Sequence, residues 1–524
     1  MVVPFLVSER QSVVLVSTPT NHGADDLAHE IRQALFDLRD DPNLPHVRKR
    51  YILRLHAPKS ENAIMRTQGP KVPKEQVENV KVPLPPRGTQ RVMKGAAVQM
   101  LERFRANDGT KFEGVRDKRV QDITYSAGYM MLLVSGIVPG TEYEERCGDH
   151  DPYAKFRMLY VKYNTGEEPF DDSTDEEEEF RELTEDLYKT VLKGASVIVG
   201  TTAGISGEDC LQHIRHQVSA IFLDENAHER EDSLAPLFAA RFKLDPCIVL
   251  IGDQEQLAPA TQADKQSNAF TPQLEISWMA RLIKNGMKYT MLTEQHRMVE
   301  DIALLCNTLT YKGKLTNAPG TALNQRLNAS QFQEWAQSFT KSTLTPSNRI
   351  MLDITPGGLN ITQHKRRSKY NDYFVCLVSS LLPSLLRRCK DATVAILTGY
   401  SEQRGNYLRM LGNMKEAKLE HVDKLSVDTF DGGQGRQFDF VIVDLPVNYG
   451  VGFLADSRRL NVALTRARNG LLVVCDTKTI LAARGVTDYL ENLIALFNGC
   501  TTTLQGNKDY PSTTYFTPGD DYDD

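Results

Sequence analysis

Two adjacent carboxylates, Asp224 and Glu225, directly follow the apolar run AIFL at 220–223. At the end of a buried strand, the first could coordinate Mg²⁺ and the second could activate a water molecule. An acidic pair at a strand end is also common where no such chemistry occurs, so this pair alone is a weak signal. Gln256 follows in the segment GDQEQLAP at 252–259, and its amide can both donate and accept, which suits phosphate sensing.

Arginine is concentrated in the stretch FLADSRRLNVALTRARNGLLVV at 453–474, which contains Arg458, Arg459, Arg466 and Arg468. We expect these arginines on one helix beside the buried strand LLVV. A guanidinium is a rigid fork of donors that matches phosphate, so the cluster predicts contact with a polyanion. A solvated basic helix face is the alternative reading of the same residues.

Two further segments add candidate residues. LTEQHRM at 292–298 contains Gln295 and Arg297. VDTFDGGQGRQFDFVIVDL at 427–445 contains Gly435 and Gln437 in a glycine-rich turn, where the backbone can approach a ligand closely.

Short apolar runs, each followed by polar residues, recur along the chain and predict the elements that position these side chains. They lie at 13–16, 196–202, 220–225 and 247–253, and then at 349–354, 394–400, 440–445 and 471–474. Such runs are typical of buried parallel strands, and ligands of parallel sheets bind at the carboxyl ends of the strands. The break near 270–290 predicts two α/β domains with parallel sheets.

The predicted domains are residues 1–275 and 285–480, followed by a C-terminal helix and a disordered acidic tail at 481–524. The first domain is predicted to carry an insertion at about 40–190, with an acidic loop at 165–182. The run DDSTDEEEE at 171–179 cannot bury enough apolar surface to fold alone, so we expect it to be mobile. Protein partners are predicted to bind through the insertion and this loop.

Charge and cysteine usage exclude several classes of protein. The net charge of −6 comes largely from 171–179 and 520–524, which leaves room for a local basic groove. Eight cysteines without a CxxC pair argue against a zinc ribbon and for a reducing compartment. No signal peptide or membrane-spanning run is recognisable, so we expect a cytoplasmic or nuclear protein.

Taken in chain order, these segments resemble the motifs of superfamily-one helicases, in the branch that includes the nonsense-mediated-decay and tRNA-splicing-type helicases. GFLADSRRLNVALTRARNG at 452–470 is nearly the last motif of that family, and STPTNHGADDLAHEI at 17–31 resembles its first nucleic-acid-contacting motif. The resemblance covers about 12–57 and 190–495. It implies two RecA-like P-loop NTPase domains, with ATP and Mg²⁺ as cofactors and single-stranded RNA or DNA as partner.

The resemblance also implies a role for each matching residue. Asp224 would hold Mg²⁺, Glu225 would activate water and Gln256 would sense the γ-phosphate, while Arg297 and Arg466 would stabilise transition-state charge. Nucleotide-binding positions would further include Gln295, Gly435 and Gln437. Positions near the nucleic-acid path would be Pro19, Thr20, Asn21, Thr202, Thr398, Tyr400 and Thr429. For each threonine, capping of a strand end is equally open.

The phosphate-cradling loop GxxxxGK[ST] of the family does not occur in this sequence. We therefore expect the chain as written to bind ATP weakly, whether through truncation or through degeneration. His228 stands where the family often has Gln, and Gln437 where it usually has Glu. The predicted function is an ATP-dependent helicase or translocase on RNA or DNA, moving 5′ to 3′. The alternative is a catalytically impaired, helicase-like nucleic-acid-binding or scaffold protein.

Overall fold

The structure, a computed structural model, describes residues 2–8, 12–56, 125–137, 152–165, 176–261, 268–340, 346–354, 362–363 and 368–504. The chain folds into two compact units. The first comprises Met1–Asp253 and Pro259–Asn285, and the second comprises Gln254–Ala258 and Gly286–Asp524. The segment Gln254–Ala258 therefore belongs to the second unit although both of its flanks belong to the first.

A five-stranded parallel sheet forms the centre of the first unit. Its strands are β1 (Val13–Thr18), β2 (Ile52–Leu55), β3 (Val197–Thr201), β4 (Val218–Leu223) and β5 (Cys247–Leu250). Their order in the sheet is β2-β3-β1-β4-β5. The predicted strands are confirmed, but β5 is an exposed edge strand rather than a buried one.

The helices of the first unit cover both faces of this sheet. They are α1 (Val3–Val7), α2 (Asn21–Arg39), α3 (Ala127–Val134), α4 (Ala154–Thr165), α5 (Glu176–Gly194), α6 (Thr202–Ile205), α7 (Glu208–Ile214), α8 (Ala235–Ala239), α9 (Thr271–Leu274) and α10 (Trp278–Lys284). Alternate residues of β1 point to opposite faces, so Val14 and Val16 pack against α2. Val13 and Leu15 pack on the other face with α3, α4 and α5.

Local sequence explains why α2 forms after β1. Thr20 caps the helix, because its hydroxyl accepts a hydrogen bond from the Gly23 N–H at 3.1 Å. The buried residues of α2 are spaced by four, three and four positions, which places them on one face: Ala24, Ala28, Ile31 and Leu35. The helix therefore buries one apolar stripe against the sheet.

The range 40–190, predicted as an insertion, contributes to this core wherever it is described. β2 is an edge strand of the sheet, and Met131, Phe156 and Phe180 pack in the same cluster as Leu15. Residues 176–179 of the acidic run are helical, as the start of α5, so their prediction as a mobile loop is wrong. Apolar residues every three or four positions from Phe180 onward bury one face of α5, which the composition of the acidic run did not reveal. Residues 171–175 lie outside the described residues.

The second unit is built on a six-stranded parallel sheet. Its strands are β8 (Arg349–Ile354), β11 (Val394–Thr398), β12 (Leu425–Thr429), β13 (Phe438–Asp444), β14 (Ala467–Cys475) and β15 (Thr501–Leu504), in the order β12-β11-β13-β14-β8-β15. Short two-residue strands pair apart from it: β6 (Glu294–Gln295) with β7 (Thr316–Asn317), and β9 (Thr362–Gln363) with β10 (Lys369–Tyr370). The predicted α/β class with two parallel sheets is confirmed.

Helices cover both faces of the second sheet as well. They are α11 (Glu300–Leu309), α12 (Leu327–Phe339), α13 (Asp372–Arg388), α14 (Ser401–Glu416), α15 (Ser457–Leu464), α16 (Thr477–Ala482) and α17 (Asp488–Leu496). One core cluster joins α12, α13 and α14 to the sheet, and another joins α11, α15, α16 and α17 to its other face. Among the described residues, no helix is both long and apolar enough to cross a membrane.

Two predicted elements of the second unit differ from the structure. The arginines are not on one helix, because α15 ends at Leu464 and Arg468 lies in strand β14. Arg466 stands in the connection between them. The region after 481 contains α17 and also β15, which pairs with β8 at the sheet edge. Its tail from 505 lies outside the described residues.

Candidate functional site

Asp224 and Glu225 stand at the carboxyl end of β4, the strand beside the central strand β1 of the first sheet. The Asp224 N–H donates to the Ser17 carbonyl at 2.8 Å, which extends the pairing with β1 by one residue. The pair therefore lies where ligands of parallel sheets bind. Both side chains are half-buried.

Glu225 adopts a left-handed backbone conformation, with a φ of 52°. This conformation costs a residue other than glycine roughly 1–3 kcal/mol, and such strain is concentrated at functional sites. The turn that follows is held by the neighbouring strand end, where Asn226 N–H donates to the Ile251 carbonyl at 2.9 Å. At Gly252 a Cβ atom would approach Ala227 N to 2.9 Å, so only glycine lets the two loops meet this closely. Glu225 is thus placed by two strand ends together.

Burial raises the pKa of Asp224 to about 6, and the neighbouring Glu225 carboxylate adds to the increase. A backbone hydrogen bond from Glu225 acts in the opposite direction. The protein alone therefore stabilises the ionised form of Asp224 poorly, as expected for a carboxylate that binds a cation.

A nearby position in the chain carries a buried carboxylate that sequence reasoning missed. Glu229 follows five residues after Asp224, and burial raises its pKa although Thr202 and Ser233 hydrogen-bond to it. The Ser233 hydroxyl lies 3.3 Å from Glu229 Oε1. Thr202, a predicted nucleic-acid contact, is buried, and its hydroxyl also lies 2.6 Å from Ser17 Oγ. The spacing after the acidic pair was the only signal for Glu229.

In the second unit, Arg466 is the centre of a buried hydrogen-bond network. Its guanidinium donates from Nη2 to Gln256 Oε1 and to Thr465 Oγ1, each at 3.0 Å. It also donates from Nε to the Val462 carbonyl at 3.0 Å. The side chain is buried, so these contacts fix the direction of the guanidinium fork.

Gln256 reaches this network through the segment Gln254–Ala258. Asn461 of α15 anchors that segment, because its Nδ2 donates to the Glu255 carbonyl at 3.1 Å. Gln256 and Arg466 are separated by 210 positions along the chain. Their juxtaposition is therefore a product of the tertiary fold.

Arg297 joins the same network from the strand β6 region. Its Nη1 donates to the Thr465 carbonyl at 3.0 Å, so Thr465 contacts both predicted arginines. Gln295 Oε1 accepts from the N–H groups of Arg297 and Met298 at 3.0 and 2.8 Å. Gln295 thus shapes the turn that carries Arg297. Thr465 and Asn461 both belong to the last motif at 452–470, and neither had a predicted role.

Gly435 and Gln437 flank the network on another side. Arg466 Nη1 donates to the Arg436 carbonyl at 3.4 Å, which brings this turn beside the guanidinium. Gly435 has a φ of +76°, so the turn favours glycine here. Gln437 is exposed. The second unit therefore brings together five predicted nucleotide-site residues around Arg466: Gln256, Gln295, Arg297, Gly435 and Gln437.

The predicted nucleic-acid residues of the first unit lie at the start of α2. Thr20 and Asn21 are exposed, and Pro19 is half-buried. Buried Arg54 of β2 holds this turn, since its Nη2 donates to Asn21 O at 3.1 Å and to Asn21 Oδ1 at 3.2 Å. The Arg54 Nε also donates to Asp25 Oδ1 at 2.7 Å. The roles of these three residues stay predictions.

In the second unit, the predicted nucleic-acid residues follow β11 and β12. Thr398 is fully buried, and Tyr400 is only 2% exposed. Thr429 is half-buried, and its hydroxyl accepts from the Gly432 N–H at 3.1 Å, which is the capping alternative. Side-chain contact of Tyr400 with a ligand would need the covering residues to move. Its role, like those of Thr398 and Thr429, stays a prediction.

Comparison with known proteins identifies relatives over most of the chain. Two family models, each described as an AAA domain, match residues 6–264 and 274–478. The chain is 28% identical over 331 residues to the "Regulator of nonsense transcripts 1 homolog" of Neurospora crassa, covering 62% of this chain and 28% of that protein. It is 30% identical over 307 residues to "Helicase sen1" of Schizosaccharomyces pombe, covering 57% of this chain and 17% of that protein.

A third relative is "DNA-binding protein SMUBP-2" of Mesocricetus auratus, which is 30% identical over 311 residues. That match covers 58% of this chain and 29% of the relative. The chain thus matches less than a third of the length of each of these three proteins.

Proposed function

Because this chain belongs to the superfamily-one helicases, in the branch that includes the regulators of nonsense transcripts, we propose that it is an ATP-dependent helicase or translocase on single-stranded nucleic acid. The observation that carries the proposal is the hydrogen-bonded group of Gln256, Arg297, Thr465 and Arg466 in the second unit. Two guanidinium groups held by one threonine are suited to bind a phosphate and the charge that develops on it.

The residues of the first unit fit the Mg²⁺ that accompanies ATP. Mg²⁺ prefers carboxylate oxygens and is usually held by one or two carboxylates together with substrate phosphates. No cluster of three or more potential metal-ligating side chains occurs in the described part of the chain. In the proposed site, Asp224 supplies one ligand and the nucleotide supplies others. Bound Mg²⁺ would neutralise charge on the phosphates.

Each remaining residue has a proposed task in hydrolysis. Glu225, fixed by its backbone, orients and deprotonates the attacking water. Gln256 senses the γ-phosphate, and Arg466 contacts both Gln256 and this phosphate. Arg297 and Arg466 stabilise the charge of the transition state, and Gln295 positions Arg297. Gly435 and Gln437 line the nucleotide beside Arg466.

The polarity and the polymer belong to the proposal as well. Movement from 5′ to 3′ is supported by the family resemblance. Both RNA and DNA are included as substrates, and the proposed place of action is the cytoplasm or the nucleus. Duplexes with a 5′ or a 3′ single-stranded overhang test the polarity, and only the 5′ overhang is expected to support unwinding.

An ATPase assay with Arg466 variants tests the function. Wild-type protein is expected to hydrolyse ATP with Mg²⁺ slowly, because the phosphate-cradling loop GxxxxGK[ST] does not occur in this sequence, and faster with oligouridylate or oligothymidylate. Arg466→Ala should lower the rate by roughly 10³-fold or more, because a transition-state arginine is lost. Arg466→Lys should also lower the rate of ATP hydrolysis, because lysine lacks the planar fork of donors. Arg387→Ala, which changes an exposed arginine of α13, is the matched control and should not affect the rate.

Thermal melting of each variant separates loss of activity from loss of folding, since Arg466 is buried. If the Arg466→Ala protein is folded and hydrolyses ATP as fast as the Arg387→Ala protein, the proposed role of Arg466 is contradicted. A wild-type protein that binds single strands but hydrolyses no ATP would instead support the alternative, a binding or scaffold protein.

A further inference from the structure

The loop that follows strand β13 exposes aromatic side chains to solvent. This 449–453 loop runs from Tyr449 to Phe453, and the side chains of these two residues are 92% and 52% exposed. Single exposed aromatics are common on protein surfaces and carry no inference alone. The backbone of this loop is also held by hydrogen bonds on two sides.

One side of the loop backbone pairs with Arg484. The Arg484 N–H donates to the Tyr449 carbonyl at 2.9 Å, and the Val451 N–H donates to the Arg484 carbonyl at 3.2 Å. Gly450 and Arg484 form a parallel bridge between these two bonds. The residue that carries the exposed ring is therefore fixed at its own carbonyl group.

The other side of the loop rests on two buried side chains. The Lys369 Nζ donates to the Gly450 carbonyl, and the Tyr400 hydroxyl donates to the Val451 carbonyl at 3.1 Å. Gly452 has a φ of +57°, and a Cβ there would lie 2.6 Å from the Tyr400 hydroxyl, so the loop packs closely on Tyr400. Burial of Tyr400 beneath the loop explains why this predicted contact residue is not itself accessible.

The surface beside the loop carries cationic groups that share their carboxylates. Arg459 lies over the Phe453 ring, 5.1 Å from its centroid, and pairs with Asp431 at 3.1 Å. Asp456 is shared by Arg458 at 3.0 Å and Arg459 at 3.9 Å. The Arg458 and Arg459 side chains remain 42% and 26% exposed, so their guanidinium groups can also reach a phosphate.

Near the end of strand β12, one carboxylate is shared by two guanidinium groups, which leaves positive charge for a polyanion. Asp428 pairs with both Arg404 at 3.4 Å and Arg436 at 3.2 Å. Asp428 immediately precedes Thr429, which stands at the carboxyl end of its strand. The register places Thr429 beside Thr398, and Thr398 beside Asp444, the last residue of β13. The 449–453 loop thus belongs to the sheet edge at which the nucleic-acid residues of the second unit are predicted.

We propose that Tyr449 is a base-stacking residue for single-stranded nucleic acid. The inference rests on the proposed function and adds the side chain that meets a base. A rigid loop that presents an aromatic ring loses little conformational entropy on binding, and stacking tolerates every base because each has a π-face. The neighbouring arginines bind the phosphates. An aromatic platform with cationic side chains beside it is a recognition mode of single strands.

Equilibrium binding of fluorescent oligouridylate and oligothymidylate tests the proposal. Tyr449→Ala should weaken binding about tenfold, in the range known for loss of one stacked base. Tyr449→Phe and Tyr449→Trp should bind like wild type. Tyr289→Ala is the matched control, because Tyr289 belongs to the same unit and is 56% exposed. The dependence of affinity on salt should be the same in Tyr449→Ala and wild type, because no phosphate contact is removed.

A strand of abasic nucleotides distinguishes stacking from a structural effect. Wild type and Tyr449→Ala should bind it equally, because there is no base to stack. Tenfold weaker binding of the abasic strand by Tyr449→Ala would overturn the proposal. The proposal would also be overturned if Tyr449→Ala bound normal strands with an affinity within twofold of that of Tyr289→Ala. That result would leave the proposed function intact. Absence of any strand binding by wild type would refute both together.

Discussion

At the residue scale, Asp444 is a buried carboxyl group that the predicted mechanism does not use. Burial raises its pKa to about 7, although hydrogen bonds from Gln403 and Tyr407 oppose the shift. Below pH 4 both folded and unfolded chains hold the proton. As the pH rises from about 4 to 7, the unfolded chain releases it first, so the free energy of unfolding should fall, by at most about 4 kcal/mol. Urea denaturation at pH 4 and pH 8 measures this loss.

Asp444→Asn should remove that part of the pH dependence and be more stable than wild type at pH 8. The amide can still accept from Gln403, so the substitution keeps the hydrogen bond and removes the charge. Asp391→Asn is the matched control, since the Asp391 side chain is 81% exposed. An equal pH dependence in Asp444→Asn and wild type would show that Asp444 does not titrate in this range.

At the element scale, the turn after β4 depends on the close approach of the turn after β5. Gly252→Ala would place a Cβ 2.9 Å from Ala227 N and should destabilise the protein by about 1–3 kcal/mol. Gly320→Ala is the control, because a Cβ there meets no atom within 4 Å. In thermal melting, the melting temperature should decrease for Gly252→Ala and stay unchanged for Gly320→Ala. Equal melting temperatures would mean that the two turns separate without cost.

At the scale of the whole molecule, each unit has its own core, since the core clusters of the two sheets share no residue. Leu15→Ala would leave a cavity in the first sheet and should cost about 2–5 kcal/mol. Amide hydrogen exchange should then accelerate in β1, β3 and β4. Leu397→Ala is the counterpart in the second sheet and should accelerate exchange in β11, β12 and β13. Equal acceleration in both sheets by either variant would contradict separate cores.

The sequence by itself determined where eight strands of the two sheets lie and which polar residues follow them. Alternating or continuous apolar runs report burial locally, so the strands at 13–16 and 394–400 needed no knowledge of distant residues. The acidic pair Asp224 and Glu225 was found in the same way, because a strand end is a local feature. The order of motifs also sufficed to identify the family, which the comparisons support.

Only the tertiary structure decided which of these side chains meet. Gln256 accepts a hydrogen bond from Arg466, which lies 210 positions later in the chain. Sequence patterns with a period of two or 3.6 residues cannot reveal a contact between such distant positions. The helix expected to carry all four arginines ends at Leu464, because the buried strand β14 begins at Ala467. Tyr400 is covered by a loop that starts 49 residues later, and the same packing leaves Tyr449 in solvent. Exposure depends on the surroundings of a side chain rather than on its type, which is why the fold alone could assign it.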